Sequence, residues 1–99
     1  MKTLTEIKQM VSQHKSFLIQ HYGIKNIGIF GSYVRNEQTS HSDIDILVDL
    51  KKPVQIDLIG FIEMENYLTD LFGVKVDVVI RDDLKPRIGK HILNEVVMV

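Results

Sequence analysis

The chain of 99 residues contains no cysteine. Disulfide bonds and thiolate metal sites are therefore excluded, because both need the cysteine sulfur. Long hydrophobic runs are also missing, since no apolar stretch approaches the ~20 residues of a membrane-spanning helix. The first ten residues include Glu6 and Gln9 and do not resemble a secretory signal. We therefore expect a cytoplasmic protein that does not enter a membrane.

An excess of charge of one sign is missing as well. The chain has 12 basic and 13 acidic residues and a formal net charge of −1. A protein whose affinity depends on neutralising a nucleic-acid backbone needs a strong positive excess. Direct binding to nucleic acid is therefore not expected, and neither is templated polymerisation.

Repeats, low-complexity segments and linkers are likewise not found in the sequence. With 44% hydrophobic residues, a chain of this length can bury one core. We expect a single domain over residues 1–99, too short to include a second domain for binding a large substrate.

The apolar pattern predicts both helices and strands. Helical spacing over residues 4–22 follows a possible capping box of Thr3 and Glu6, and Gly23 is expected to end that helix. Segments rich in β-branched and apolar residues and bounded by turn formers predict strands. The predicted strands cover residues 24–30, 43–50 and 74–80, and a short helix is predicted over 32–38.

Two further helices are predicted in the second half of the chain. One covers residues 57–72 and ends at Gly73. The other covers residues 83 to about 97, with Asp83 as its cap and Pro86 in the first turn, where proline is tolerated. The apolar face of the first is predicted to point inward and to consist of Leu58, Phe61, Ile62, Leu68 and Phe72.

The most informative motif joins Gly31-Ser32 to Asp43 and Asp45. Glycine lets the backbone approach a phosphate closely, and Ser32 adds a hydroxyl beside free backbone N–H groups at a helix start. Asp43 and Asp45 lie two apart on a predicted strand, so both point to one face with Cα atoms roughly 6.8 Å apart. Mg²⁺ prefers oxygen ligands and is usually held by one or two carboxylates, with substrate phosphates and water. The motif therefore predicts a site for a metal and a nucleotide.

The string from Gly31 to Asp45 matches the pattern G-S-x(10)-D-x-D. In this the chain resembles the polymerase beta-like nucleotidyltransferase superfamily, and its short length makes it most similar to the minimal nucleotidyltransferases (MNT), the antitoxin partners of HEPN-domain toxins. The resemblance covers nearly the whole chain. It implies an α+β domain of the polymerase beta-like nucleotidyltransferase fold, in which a short mixed sheet is backed by helices.

The resemblance also assigns roles to residues outside the two motif elements. A third carboxylate of the family comes from a later strand, where this chain has Asp77. Arg35 matches the basic residue commonly found three places after the family's serine. Asn36 stands where many relatives have glycine, but asparagine tolerates positive φ, so the turn is expected to survive.

Together these matches imply a two-metal nucleotidyl transfer. Asp43, Asp45 and Asp77 would hold two Mg²⁺ ions and act in catalysis, while Gly31, Ser32 and Arg35 would bind the nucleotide. ATP is implied as the AMP donor, and a tyrosine hydroxyl on a HEPN ribonuclease toxin as the acceptor. The protein would then act as an antitoxin in a hetero-oligomer with that toxin.

Two other functions stay open at this point. The chain could be a non-catalytic antitoxin that neutralises the toxin by binding, against which the intact carboxylate set argues. It could also transfer a nucleotide to a small molecule such as an aminoglycoside, but relatives of that kind have an additional domain for the acceptor.

We expect the remaining charged residues to occupy solvated or packed positions outside the site. Asp49 is expected to be a solvated strand end, and the four histidines lack the spacing of zinc ligands. Lys85, Arg87 and Lys90 are expected to form a solvated helix face. Two roles stay open for Ser42, which either contacts a phosphate or only precedes the strand.

Overall fold

The computed structural model describes residues 2–99 as an α+β fold with one mixed sheet. The elements in chain order are α1 (Leu4–Tyr22), β1 (Ile24–Phe30), α2 (Ser32–Arg35), β2 (Ile44–Leu50), α3 (Leu58–Phe72), β3 (Val76–Ile80), a 3-10 helix (Arg81–Asp83), α4 (Pro86–Glu95) and β4 (Val97–Met98). The four strands of the sheet have the order β3-β2-β1-β4. Strand β1 is antiparallel to both β2 and β4, whereas β2 and β3 are parallel. The predicted fold class is confirmed.

Helix α1 begins and ends where the sequence predicts. The Thr3 hydroxyl accepts the backbone N–H of Glu6 at 3.3 Å, and Gly23 ends the helix in the left-handed conformation with φ 67°. Helix α3 is bounded in the same way, by the Asp57 carboxylate and by Gly73 at φ 67°. Side-chain caps and left-handed glycines therefore fix both long helices locally.

The hydrophobic core lies between one face of the sheet and the helices α1 and α3. Ile44, Ile46 and Val48 of β2 are completely buried in it. Because side chains alternate along a strand, Asp45 and Asp49 point to the opposite face. The largest fully buried side chains from the two helices are Ile7, Val11, Leu18, Met64, Leu68 and Phe72.

The predicted inward face of α3 was wrong at two positions. Leu58 is 73% exposed and Ile62 is 47% exposed, whereas Met64 is completely buried. Met64, Leu68 and Phe72 recur every four residues and form the buried stripe. Ile62 lies two residues before Met64, about 200° around the helix, and so points away from the core.

The predicted C-terminal helix was wrong at both ends. Its start is Pro86, with Lys85 rather than Asp83 at the cap position, and it ends at Glu95. Proline at the first helical position is confirmed, because the missing N–H is not needed there. The next residues, Val97–Met98, form β4 against Ile29 and Gly28 of β1. A strand of two residues is too short to show a periodic pattern in the sequence.

Three other boundaries differ by a few residues. Helix α2 ends at Arg35 instead of residue 38, β3 begins at Val76 instead of residue 74, and Asp43 lies directly before β2. Within residues 2–99, none of the helices combines the length and the apolar character needed to cross a bilayer.

Candidate active site

The sheet register brings the two predicted carboxylate strands together. Asp45 of β2 is paired with Asp77 of β3 on one side and with Phe30 of β1 on the other. All three residues therefore lie on the face of the sheet that α1 and α3 leave uncovered. Asp77 is on an edge strand and is exposed, whereas Asp45 on the inner strand is half-buried.

The Gly31 backbone lies directly against the Asp45 carboxylate. A Cβ atom on Gly31 would lie only 2.1 Å from Asp45 Oδ2. Gly31 also has φ 84° and ψ −154°, a conformation that is essentially restricted to glycine. The two halves of the sequence motif are therefore in contact, and glycine is required there for both its conformation and its small size.

Asp43 contributes a third carboxylate at the start of β2. Its Oδ2 atom lies 3.9 Å from Lys75 Nζ, and the backbone around it is held by a hydrogen bond from the Ile44 N–H to the Lys75 carbonyl. The charge of Asp43 acts on Asp45, as does that of Asp77. Asp43 and Asp77 thus both lie near enough to Asp45 for their charges to act on its carboxyl.

Asp45 is the strongly perturbed acid of this group. The pKa of its carboxyl is raised from 3.8 to about 6, mainly by burial and then by the negative charges of Asp77, Asp43 and Glu95, while Arg35 acts to lower it. Crowded carboxylates of this kind are stabilised by a cation. A perturbed acid in a cleft is also a marker of a functional site.

The carboxylate oxygens of Asp43, Asp45 and Asp77 are of the type that magnesium prefers, but they do not form a complete coordination shell by themselves. In the part of the chain that the structure describes, no three Asp, Glu or His side chains converge closely enough to hold a metal ion by themselves. Magnesium does not require such a cage, because water and substrate phosphates usually complete its shell. Asp43, Asp45 and Asp77 are the residues whose oxygen chemistry and mutual repulsion suit it.

A cleft of about 490 Å³ opens beside Asp45. One wall is formed by Gly31 and by Arg35 of α2, and the other wall is formed by α4. From α4 come Ile88, His91, Ile92 and Glu95. The cleft therefore connects the perturbed carboxylate, the glycine loop and the C-terminal helix.

Ser32 and Arg35 lie on the short helix α2 that follows the loop. Ser32 is its first residue and is half-buried. The Arg35 guanidinium is 50% exposed and forms ion pairs with Glu95 at 2.5 Å and Glu37 at 2.6 Å. Asn36 adopts the left-handed conformation with φ 58°, so the turn survives the departure from glycine as expected.

Ser42 and Asp49 each have a defined hydrogen-bond partner. The Ser42 hydroxyl accepts the backbone N–H of Thr39 at 2.9 Å and so belongs to the turn before β2. Asp49 accepts a hydrogen bond from Asn26 at 3.4 Å at the far end of the strand. Arg87 and Lys90 on α4 and Lys85 at its cap position are exposed, as predicted.

The contribution of α4 to the cleft was not predicted from the sequence. His91 lines the cleft, although its position alone gave no sign of this. Glu95 could have been noticed, because it is an acid in the last turn of a helix, where the helix dipole disfavours negative charge. Its location in that turn needs a compensating partner, and the structure supplies Arg35 and the Gly31 N–H.

The raised pKa of Asp45 predicts a pH-dependent stability in the metal-free protein. Between about pH 4 and pH 6 Asp45 binds more protons in the native state than in the unfolded chain, so its contribution to the free energy of unfolding falls as the pH rises. We expect Asp45→Asn to remove this fall and to be more stable by about 1 kcal/mol above pH 6, after allowance for partial exposure. Urea unfolding of both proteins in EDTA across this range checks the result. Parallel pH profiles would contradict it.

Comparison with known proteins agrees with this geometry. The family model of the nucleotidyltransferase domain matches residues 11–99. The protein adenylyltransferase MntA of Thermococcus cleftensis is 46% identical over 99 residues, covering 100% of this chain and 98% of the relative. A Methanocaldococcus jannaschii protein, named as a candidate protein adenylyltransferase, is 49% identical over 100 residues and covers 100% of both chains.

Solved structures show the same fold. One described as a candidate minimal nucleotidyltransferase superposes with a TM-score of 0.80 and 28% identity, covering 97% of this chain and 95% of that chain. For the fold alone, a chain from the complex of tri-AMPylated Shewanella oneidensis HEPN toxin with MNT antitoxin gives a TM-score of 0.68 at 19% identity, covering 93% of this chain and 70% of the other. The chain therefore belongs to the nucleotidyltransferase domain family, among the minimal nucleotidyltransferases, and is itself a nucleotidyltransferase.

Proposed function

We propose that this chain transfers AMP from ATP to a tyrosine hydroxyl of a partner HEPN ribonuclease toxin, and that it acts in this way as a cytoplasmic antitoxin. The whole chain, residues 1–99, is the functional domain. The observation that supports this best is the contact between Gly31 and the Asp45 carboxylate, with Asp77 in register beside it. That contact joins a loop suited to phosphate with acids suited to magnesium.

The nucleotide occupies the cleft beside Asp45. The Gly31 N–H, the Ser32 hydroxyl and the Arg35 guanidinium bind its phosphates, because amide, hydroxyl and guanidinium groups all donate to phosphate oxygens. Asp43, Asp45 and Asp77 would hold two Mg²⁺ ions, which when bound would supply positive charge against the triphosphate and lower the pKa of the attacking hydroxyl.

The reaction is an in-line displacement at the α-phosphorus. The tyrosine oxygen forms a new bond to that phosphorus, and the bond between the phosphorus and the pyrophosphate oxygen breaks. Asp77 accepts the hydroxyl proton, since it is exposed on the edge strand where an acceptor can approach. Pyrophosphate leaves, and the tyrosine becomes an AMP ester.

A protein acceptor suits a chain of this size. Residues 2–99 form the one α+β domain described above and include no second domain to hold a small acceptor, so we infer that a docking protein positions its own hydroxyl. Such positioning accounts for several kcal/mol of a reaction barrier. The name of the MntA relative and the AMPylated toxin in a structural neighbour support this choice of acceptor.

The test is label transfer with the full chain. Incubated with magnesium, α-labelled ATP and a HEPN toxin protein, the chain is expected to place the label covalently on that protein. Label from γ-labelled ATP should not transfer, because the γ-phosphate leaves with pyrophosphate. Substitution of the modified tyrosine by phenylalanine should remove the signal. Stable binding of the two proteins without any label transfer would show that neutralisation is by binding alone.

A further inference from the structure

Glu95 binds the same two groups that the proposed function assigns to the nucleotide phosphates. Its Oε2 atom accepts the Gly31 backbone N–H at 2.7 Å. Its Oε1 atom accepts Arg35 Nη1 at 2.5 Å. The carboxylate thus spans the loop and the guanidinium with two oxygens, as a bound phosphate would.

We propose that Glu95 is an intramolecular competitor of ATP, whose carboxylate occupies the phosphate position and must move away when the triphosphate binds. This inference rests on the proposed function, because it needs the phosphates to contact Gly31 and Arg35. An amide N–H has one hydrogen to donate, so the Gly31 N–H cannot serve the carboxylate and a phosphate fully at the same time. Two anions in contact would also repel each other in a half-buried site.

The hydrogen bonds from Gly31 and Arg35 hold the Glu95 carboxylate at a position that its electrostatic surroundings disfavour. It lies in the last turn of α4, where the helix dipole disfavours an anion. Its negative charge also acts on the nearby Asp45 carboxyl. Burial alone would raise the pKa of Glu95, but the hydrogen bonds from Arg35 and Gly31 bring it below its usual value. The side chain is therefore an anion that these donors keep in the cleft.

The backbone holds Glu95 beside the loop while its side chain can still leave. Two residues later Val97 pairs with Ile29 in the sheet, close to the end of β1 that leads into Gly31. Displacement therefore requires only rotation of the glutamate side chain, which is 22% exposed. Helix α4 can stay in place during the exchange.

Glu95→Gln is expected to bind nucleotide about fivefold more tightly than wild type, because the fraction of molecules with a free phosphate position increases. Glutamine keeps the size and a carbonyl acceptor for the Gly31 N–H, but it lacks the negative charge. The measurement is calorimetric titration of the full chain with a non-hydrolysable ATP analogue and magnesium. In label transfer, the KM for ATP should fall by the same factor with kcat unchanged.

Glu37→Gln is the matched control. Glu37 is the other carboxylate on Arg35, at 2.6 Å, but it is 64% exposed and has no hydrogen bond to Gly31. Its affinity for the analogue should stay within twofold of wild type. Glu95→Ala, checked for folding by its thermal melt, is expected to bind the analogue as tightly as Glu95→Gln. This second variant tests the competition even if the glutamine side chain disturbs the loop.

The outcomes separate the two proposals. If wild type binds the analogue and both Glu95 variants bind it equally or less tightly, Glu95 is not a competitor. Weaker binding by both variants would instead identify Glu95 as a residue that positions Arg35. If neither wild type nor the folded variants bind the analogue, the nucleotide site itself is refuted. Tighter binding by both Glu95 variants, and not by Glu37→Gln, supports the competition.

Discussion

Asp43→Asn and Asp45→Asn are each expected to lower nucleotide transfer by on the order of a thousandfold. Metal ions contribute several kcal/mol of charge stabilisation to such reactions, and each about 1.4 kcal/mol is a factor of ten in rate. Asparagine keeps the shape of aspartate but removes the charge that the cation needs. Initial rates of label transfer to the HEPN partner, with magnesium and ATP saturating, measure the loss.

Asp49→Asn is the matched control for these variants. Asp49 is on the same strand and the same face as Asp45, and its side chain is 19% exposed. Its partners, however, are Asn26 and Arg81 at the far end of the strand. We expect wild-type rates from Asp49→Asn, and full activity in both Asp43→Asn and Asp45→Asn would refute the catalytic proposal.

Asp45 links the activity of the protein to its stability. The same substitution that inactivates the enzyme is expected to stabilise the metal-free fold, because it removes a half-buried charge crowded by Asp77 and Asp43. Such a conflict is typical of functional sites, where a group is kept at a cost to folding. A merely structural aspartate would give the opposite sign, because its loss would remove stabilising contacts.

Much of the fold and the positions of the acids could be predicted because they depend on local chemistry. The bounds of α1 follow from the Thr3 cap and the left-handed Gly23, which act over only a few residues. The strand that leads to Gly31 shows a plain β-branched pattern. Asp77 could be named from the family resemblance, and the parallel pairing of β2 and β3 places it beside Asp45 on the same face of the sheet.

The missed features depend on contacts between distant parts of the chain. Ile62 fits an apolar helical pattern as well as Met64 does, and only packing against the sheet decides between them. Strand β4 pairs with the edge of β1 at Gly28 and Ile29. The chain approaches so closely there that a Cβ atom added to Gly28 would lie 2.6 Å from the Val96 side chain. Glu95 reaches the loop across 64 residues of sequence. A single sequence gives no sign of such a partner except the unfavourable helix position.

Gly31→Ala is expected to abolish nucleotide binding and to reduce transfer by about a hundredfold or more. The new methyl group would lie 2.1 Å from Asp45 Oδ2, and alanine is strained at φ 84° with ψ −154°. The loop or the carboxylate must therefore move, and a misplacement of about 1 Å at a reacting group is enough for a loss of this size. Calorimetric titration with the ATP analogue and label-transfer rates measure both effects.

Gly73→Ala separates this clash from backbone strain in general. Gly73 also has positive φ, 67°, but an added Cβ would have no atom within 4 Å. The left-handed strain should destabilise this variant by about 1 kcal/mol and leave its nucleotide affinity and rate at wild-type values. Since Gly31→Ala fills the space between the loop and Asp45, it should lose activity even at temperatures where its thermal melt shows a folded protein. Wild-type transfer by a folded Gly31→Ala would mean that the contact between loop and carboxylate is not part of the active site.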